Sequence, residues 1–169
     1  LRINTSSSSV PSEVLAQQAW QLALAEETPV QVPSPLRTRD GAWFAAVPSG
    51  VVGRELLVTC ATWLEGDDVG EPSPEVACEL GRTMALLHRQ AAGWQLPDGA
   101  TMPLFDTPLF GDPDLLATAD LDADQHEVLR SAAGLASAAF ERQYAGASVI
   151  PLHADLHGGN LKWHDGRLS

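Results

Sequence analysis

Apolar residues recur at helical spacing in three stretches of this chain, and in the segments between them they alternate or run together briefly. Pro11 suits the first turn of a helix reaching about residue 26, with Leu15, Ala19, Leu22 and Ala23 on one face. A second helix opens at Ser73-Pro74-Glu75, where a capping serine, a first-position proline and a first-turn acid coincide. It runs to about residue 92, stops at Gly93 and turns Leu80, Met84 and Leu87 inward. The third spans 123 to about 144, capped by Asp122 and burying Leu129, Ala133, Ala136 and Phe140.

The segments between these helices read as strands and turns. Residues 1–4 form a strand and Ser6 to Ser9 a mobile polar loop. Residues 28–38, carrying Pro29, Pro33 and Pro35, are an edge strand or a connection. Asp40-Gly41 makes a turn, 42–47 a strand, 48–53 another turn, and 54–63 the most apolar strand. The first third is therefore one helix beside a small antiparallel meander. Residues 64–68 are a polar, glycine-bearing joint, and the lobe boundary is expected there, giving units 1–64 and 65–169. Residues 93–122 are irregular, with Trp94, Phe105 and Phe110 as anchors to the core. Near the end, the apolar run 149–152 and the alternating residues 161–163 predict a strand on each side of an irregular loop. The two ends, Leu1-Arg2-Ile3 and Gly166-Arg167-Leu168-Ser169, read as cuts through a longer protein.

Composition narrows the classes. A chain of 169 residues holds one core or two small lobes around a cleft. Its formal net charge of −12 has the wrong sign for a nucleic-acid surface. No apolar run approaches the length of a membrane span, and there is no signal-peptide pattern. Cys60 and Cys78 are too few for a disulfide scaffold, so a cytoplasmic protein is expected. Asp120 to Asp124 imitates a calcium loop but lacks its glycine and its closing glutamate.

The chemistry gathers in His153-Ala154-Asp155-Leu156-His157-Gly158-Gly159-Asn160. The spacing of Asp155 and Asn160 matches the kinase loop H-x-D-x-x-x-x-N, whose aspartate accepts the proton of the attacking hydroxyl and whose asparagine holds a magnesium ion. Gly158 and Gly159 let the chain turn back on itself. Two other readings stay open on residue types alone. His153, Asp155 and His157 are a possible ligand set for a divalent-metal hydrolase, and the loop is equally able to satisfy its own backbone amides.

The order of these elements resembles the aminoglycoside phosphotransferase-like family, which includes choline, homoserine and fructosamine kinases. The features that carry it are helix plus meander, acidic joint, a helix ending in Leu86-Leu87-His88-Arg89, another long helix, then His-x-Asp-Leu-His-x-Gly-Asn. The resemblance implies an α+β, protein-kinase-like two-lobe fold and an ATP- and Mg2+-dependent kinase acting on a small-molecule hydroxyl. It implies Asp155 as catalytic base, Asn160 as magnesium ligand and His157 as a phosphate contact. Arg2 stands where the family has its phosphate-binding lysine, with Gln17 or Glu13 in the place of that lysine's glutamate partner. Residues 59–64, including Ala61, Thr62 and Trp63, become the hinge whose backbone receives the adenine. The only lysine, Lys162, follows the catalytic loop and is set aside by position. A nucleotide-covering strand pair is expected before Leu1 and a metal-binding aspartate after Ser169, so the chain alone is expected to be nearly inactive. A catalytically impaired nucleotide- or partner-binding module is the alternative. Asp106, Asp112 and Asp114 would favour an amine-bearing acceptor.

Overall fold

The computed structural model describes residues 1–5, 10–105 and 115–169, so Ser6 to Ser9, Phe110 and the acids Asp106, Asp112 and Asp114 lie outside the described residues. The order is β1 (Arg2–Asn4), α1 (Pro11–Glu27), β2 (Pro35–Leu36), β3 (Ala45–Ser49), β4 (Arg54–Ala61), β5 (Asp67–Asp68), α2 (Pro74–Ala91), α3 (Leu115–Thr118), α4 (Ala123–Tyr144), β6 (Lys162–His164) and β7 (Arg167–Leu168). By compactness the chain divides into residues 1–102 with 150–169, and residues 103–149.

In the first unit β4 is the axis of a four-stranded sheet. It pairs antiparallel with β1, β2 and β3, setting Arg2 opposite Thr59 and Pro35 opposite Ala61. The strand expected at 42–47 forms at Ala45–Ser49, because pairing with β4 selects those residues and Thr38 takes up the backbone of Ala42 in the preceding turn. The joint after β4 contributes a strand: β5 pairs with β6, which pairs with β7.

Helix α1 begins at Pro11 as expected, but its buried residues are Val14, Ala16, Gln18, Trp20, Ala23 and Leu24, so of the expected stripe only Ala23 is buried, and Leu15, Ala19 and Leu22 are not. The helix is covered from more than one side. Trp20 and Leu24 join Leu87 and Ala91 of α2 in the main core, with Trp94 and Ile150 packed against it. Trp20 Nε1 also donates to Gln90 Oε1 at 2.9 Å, tying the two helices with a satisfied indole N–H.

Ser73 caps α2 by accepting from the N–H of Val76. Its buried residues are Thr83, Leu87 and Ala91, spaced by four, while Met84 is exposed and Leu80 half-buried. The expected stripe of Leu80, Met84 and Leu87 is thus rotated, because Leu87 and Ala91 must meet Trp20. A smaller core of Val69, Leu161 and Leu168 lies under β5, β6 and β7. The apolar run 149–152 forms no strand, since β5 and β7 already occupy both edges of β6; Ile150 packs against the main core instead.

In the second unit Asp122 caps α4 in a reciprocal capping box with Gln125. No residue of α4 is buried, so the expected burial of Leu129, Ala133, Ala136 and Phe140 is not seen. Leu129 is exposed, and Phe140 stacks on Tyr144 along the helix itself. No helix among the described residues is long and apolar enough to cross a membrane.

Candidate active site

The loop of residues 153–160 is held by its apolar member. Leu156 is half-buried and packs against both the main core and the smaller one, so Asp155 and His157 on either side of it project outward. Just before them Ala154 sits at φ +61°, a left-handed conformation that costs an L-residue energy and re-aims the chain at Asp155. A 3₁₀ turn at Gly158–Asn160 closes the loop. Neither of its glycines is needed for a left-handed φ. Gly158 is required by close approach, because a Cβ there would lie 2.8 Å from the carbonyl oxygen of Gly70 and closer still to that of Val69.

The polar groups of the loop bind one another. Asn160 Nδ2 donates to Asp155 Oδ2 and to the Asp155 carbonyl, both at 2.9 Å. The amide is thereby oriented, with its Oδ1 left as an acceptor. His157 Nδ1 accepts from the Gly159 N–H at 3.1 Å, and its Nε2 lies 3.2 Å from Asn160 Nδ2 and 3.6 Å from Asp155 Oδ1. A neutral imidazole accepts at one nitrogen only. With Nδ1 bound to Gly159, the ring proton sits on Nε2 and faces the Asp155 carboxylate. His153 Nδ1 accepts from the Asp155 N–H at 3.3 Å. Partial desolvation lowers the pKa of His153, though its surface is largely exposed, from the ordinary histidine value; Asp155 opposes that shift and His157 adds to it. His153, Asp155 and His157 do not converge on a point that could hold a metal, so the hydrolase ligand set is not formed.

Beside this loop a cavity of about 430 Å³ opens within the first unit, inside the size range of small-molecule sites. It is bordered by β1, α1, the end of β4 and the start of β6. Of the residues singled out from the sequence, Arg2, Gln17, Ala61, Thr62, Trp63 and Asn160 line it together. Asp155, His157 and Glu13 do not; Glu13 lies one turn before Gln17 on α1. The Thr62 N–H is committed to the Ser34 carbonyl at 2.9 Å, so that amide is not offered to the cavity. Trp63 is 78% exposed.

Two lining residues were not carried to the site by the sequence reading, which passed over Gln18 and set Lys162 aside by position. Gln18 is only 6% exposed, and its Oε1 is buried with no hydrogen-bond partner among the described residues; Ser169 Oγ, also on the wall, is in the same state. Buried polar atoms without partners are uncommon and mark a place where a ligand or water supplies the missing bond. The second is Lys162. Its neighbours Leu161 and Trp163 turn to the smaller core, so strand alternation sends Lys162 to the other face and into the cavity wall. Its Nζ meets Asp68 Oδ1 at 2.6 Å, directly across the β5–β6 ladder, and lies 5.5 Å from the centre of the Trp63 ring. A charged residue between two apolar ones on a predicted strand is the signal that would have found it.

Among the described residues the cavity wall thus carries two cationic side chains, Arg2 and Lys162, the second paired with Asp68, and no Asp or Glu side chain, in a chain with 22 acidic residues. The model of the phosphotransferase enzyme family (APH) matches residues 1–169. Among solved structures, that of the microcompartment-associated aminopropanol kinase matches at 25% sequence identity with a TM-score of 0.67, over 95% of this chain and 51% of that one. The chain therefore spans about half the length of that kinase. Its mixed α+β architecture is that of this kinase-like neighbour, as the sequence led one to expect. No curated protein matches the chain.

Proposed function

The chain belongs to the phosphotransferase enzyme family, and from that membership we propose that the full-length protein transfers the γ-phosphoryl group of ATP to a hydroxyl of a small molecule. One observation carries the reading: a cavity walled by Arg2 and by Lys162, itself paired with Asp68, with no Asp or Glu side chain among its described lining residues, opens beside the Asp155–Asn160 pair. In a strongly acidic protein such a wall favours a polyanion, and a nucleoside triphosphate is one.

In this reading Arg2 meets phosphate oxygens, its planar fork replacing a point charge. The backbone of Ala61 and Trp63 faces the base. Asp155 accepts the proton of the attacking hydroxyl, a role its exposure permits. Because Nδ2 of Asn160 is fully engaged with Asp155, its Oδ1 is presented as a hard oxygen ligand suited to magnesium. Bound there, the ion would neutralise charge on the phosphates. His157, with its Nε2–H toward Asp155, positions the carboxylate or donates to a phosphate oxygen. The neighbour's name describes a kinase of an amino alcohol, and an acceptor bearing both a hydroxyl and an amine is the class we favour.

Incubating the full-length protein with ATP, Mg2+ and a panel of amino alcohols, with phosphorylated product read by mass spectrometry, tests the proposal. Magnesium-dependent product supports it, and nucleotide that neither binds nor turns over refutes it. A non-catalytic nucleotide-binding module is the second reading, favoured by the neutral Gln17 in place of a carboxylate partner for Arg2. It predicts magnesium-strengthened ATP binding without product for any acceptor.

A further inference from the structure

Helix α1 puts three side-chain amides on the cavity wall, those of Gln17, Gln18 and Gln21. They are not equivalent. Gln17 is exposed and meets water, whereas Gln18 is 6% exposed and its Oε1 is buried with no hydrogen-bond partner among the described residues. An amide oxygen withdrawn from water without a donor lowers the stability of the fold, and such an atom on a cavity wall is matched by a group that binds there. The oxygen accepts and cannot donate, so that group carries an O–H or an N–H. Arg2 and Thr59 face each other in the β1–β4 ladder, so their side chains leave the sheet on one face, and Ala61, two residues on, shares it. All three line the cavity with Gln18, which therefore borders the same space as the sheet face leading from Arg2 to the hinge. Ionised phosphates bring acceptors only, suited to Arg2 and useless to Gln18 Oε1. The donors of a nucleotide itself belong to its nucleoside part, as sugar hydroxyls and base N–H groups.

We propose that Gln18 Oε1 accepts a hydrogen bond from the nucleoside part of the bound nucleotide, making Gln18 a residue that selects for the nucleoside and not for the phosphates. The inference rests on the reading of this cavity as the nucleotide site and adds to it a contact from α1.

Calorimetric titration of the full-length protein and of its Gln18→Met and Gln18→Glu variants, with ADP and with pyrophosphate in Mg2+, tests it alongside thermal melts without ligand. Methionine keeps the length of the side chain and removes the amide acceptor. It should weaken ADP binding about tenfold and leave pyrophosphate binding within about twofold. The same variant should melt a few degrees higher than the parent, because the unsatisfied atom is gone. A residue that merely holds the fold would move the melt the other way. Glutamate keeps an acceptor there, so although its charge weakens both ligands, the ratio of ADP to pyrophosphate affinity should be retained. A ratio unchanged in Gln18→Met overturns the assignment and leaves the nucleotide site standing. A Gln18→Met protein that melts lower or fails to fold also overturns it, since the amide would then be a structural bond. Failure of the parent to bind either probe sinks both the inference and the nucleotide site beneath it.

Discussion

Replacing Asp155 by alanine should separate chemistry from folding. The carboxylate is exposed and accepts one hydrogen bond, from Asn160 Nδ2 at 2.9 Å; the second bond from that amide goes to the Asp155 carbonyl and survives the substitution. No buried partner is orphaned, so stability should change by no more than about 1 kcal/mol. A positioned base is worth about 10²–10⁴-fold in rate, which at 1.36 kcal/mol per decade is about 2.7–5.5 kcal/mol of barrier. The kinetic loss should therefore exceed the stability loss several-fold. Phosphoryl transfer by the full-length protein at saturating nucleotide, alongside urea unfolding, measures both. Asp155→Asn keeps an acceptor toward Asn160 but cannot take a proton, so it should be as slow as the alanine variant. Because Asp155 and Asn160 share a bond, the effects of changing both should be less than additive. Turnover within about tenfold of the parent in Asp155→Asn would show that the residue holds the loop and does no proton chemistry.

Three further outcomes are expected. Leu87→Ala empties the junction of α1 and α2 beside Trp20 and should cost about 2–5 kcal/mol in chemical denaturation. Asp122→Ala removes the cap of α4 and should cost about 0.5–2 kcal/mol, with faster hydrogen exchange at the Gln125 amide that the aspartate now binds. His153 has its folded pKa lowered by partial desolvation, so the unfolded chain takes the proton more readily. That contribution to stability is intact above the ordinary histidine value of 6.5 and is lost as pH falls below it; comparing melting temperature against pH for the parent and His153→Asn should show the difference only on the acid side.

Local chemistry made much of this fold legible. Ser73-Pro74 and Asp122 announce their helices because capping is decided within four residues, and the Asp40-Gly41 turn, with Gly41 at φ +86°, is equally local. The face each helix buries was less legible. Trp20 rather than Leu22 is buried on α1, and Met84 is left exposed on α2, because the partner helix selects the stripe and no periodicity within one helix reveals the partner. In the loop, the spacing of Asp155 and Asn160 anticipated two groups that do bond. Lys162 was set aside for its place after the catalytic loop, since sequence order puts it 160 residues from Arg2 and only the fold brings the two to one wall. Residues 149–152 have a strand's composition but no free edge to join.

For the proposed phosphoryl transfer, Leu156 has a further meaning. It is the one loop side chain that touches both apolar clusters, so loosening of either is enough to free its neighbours Asp155 and His157. Catalytic competence in such an arrangement is governed by the weaker of two supports. Heat or denaturant should silence the protein at or before the midpoint at which helix content disappears, and mutations that reinforce only the stronger cluster should leave that inactivation point where it was.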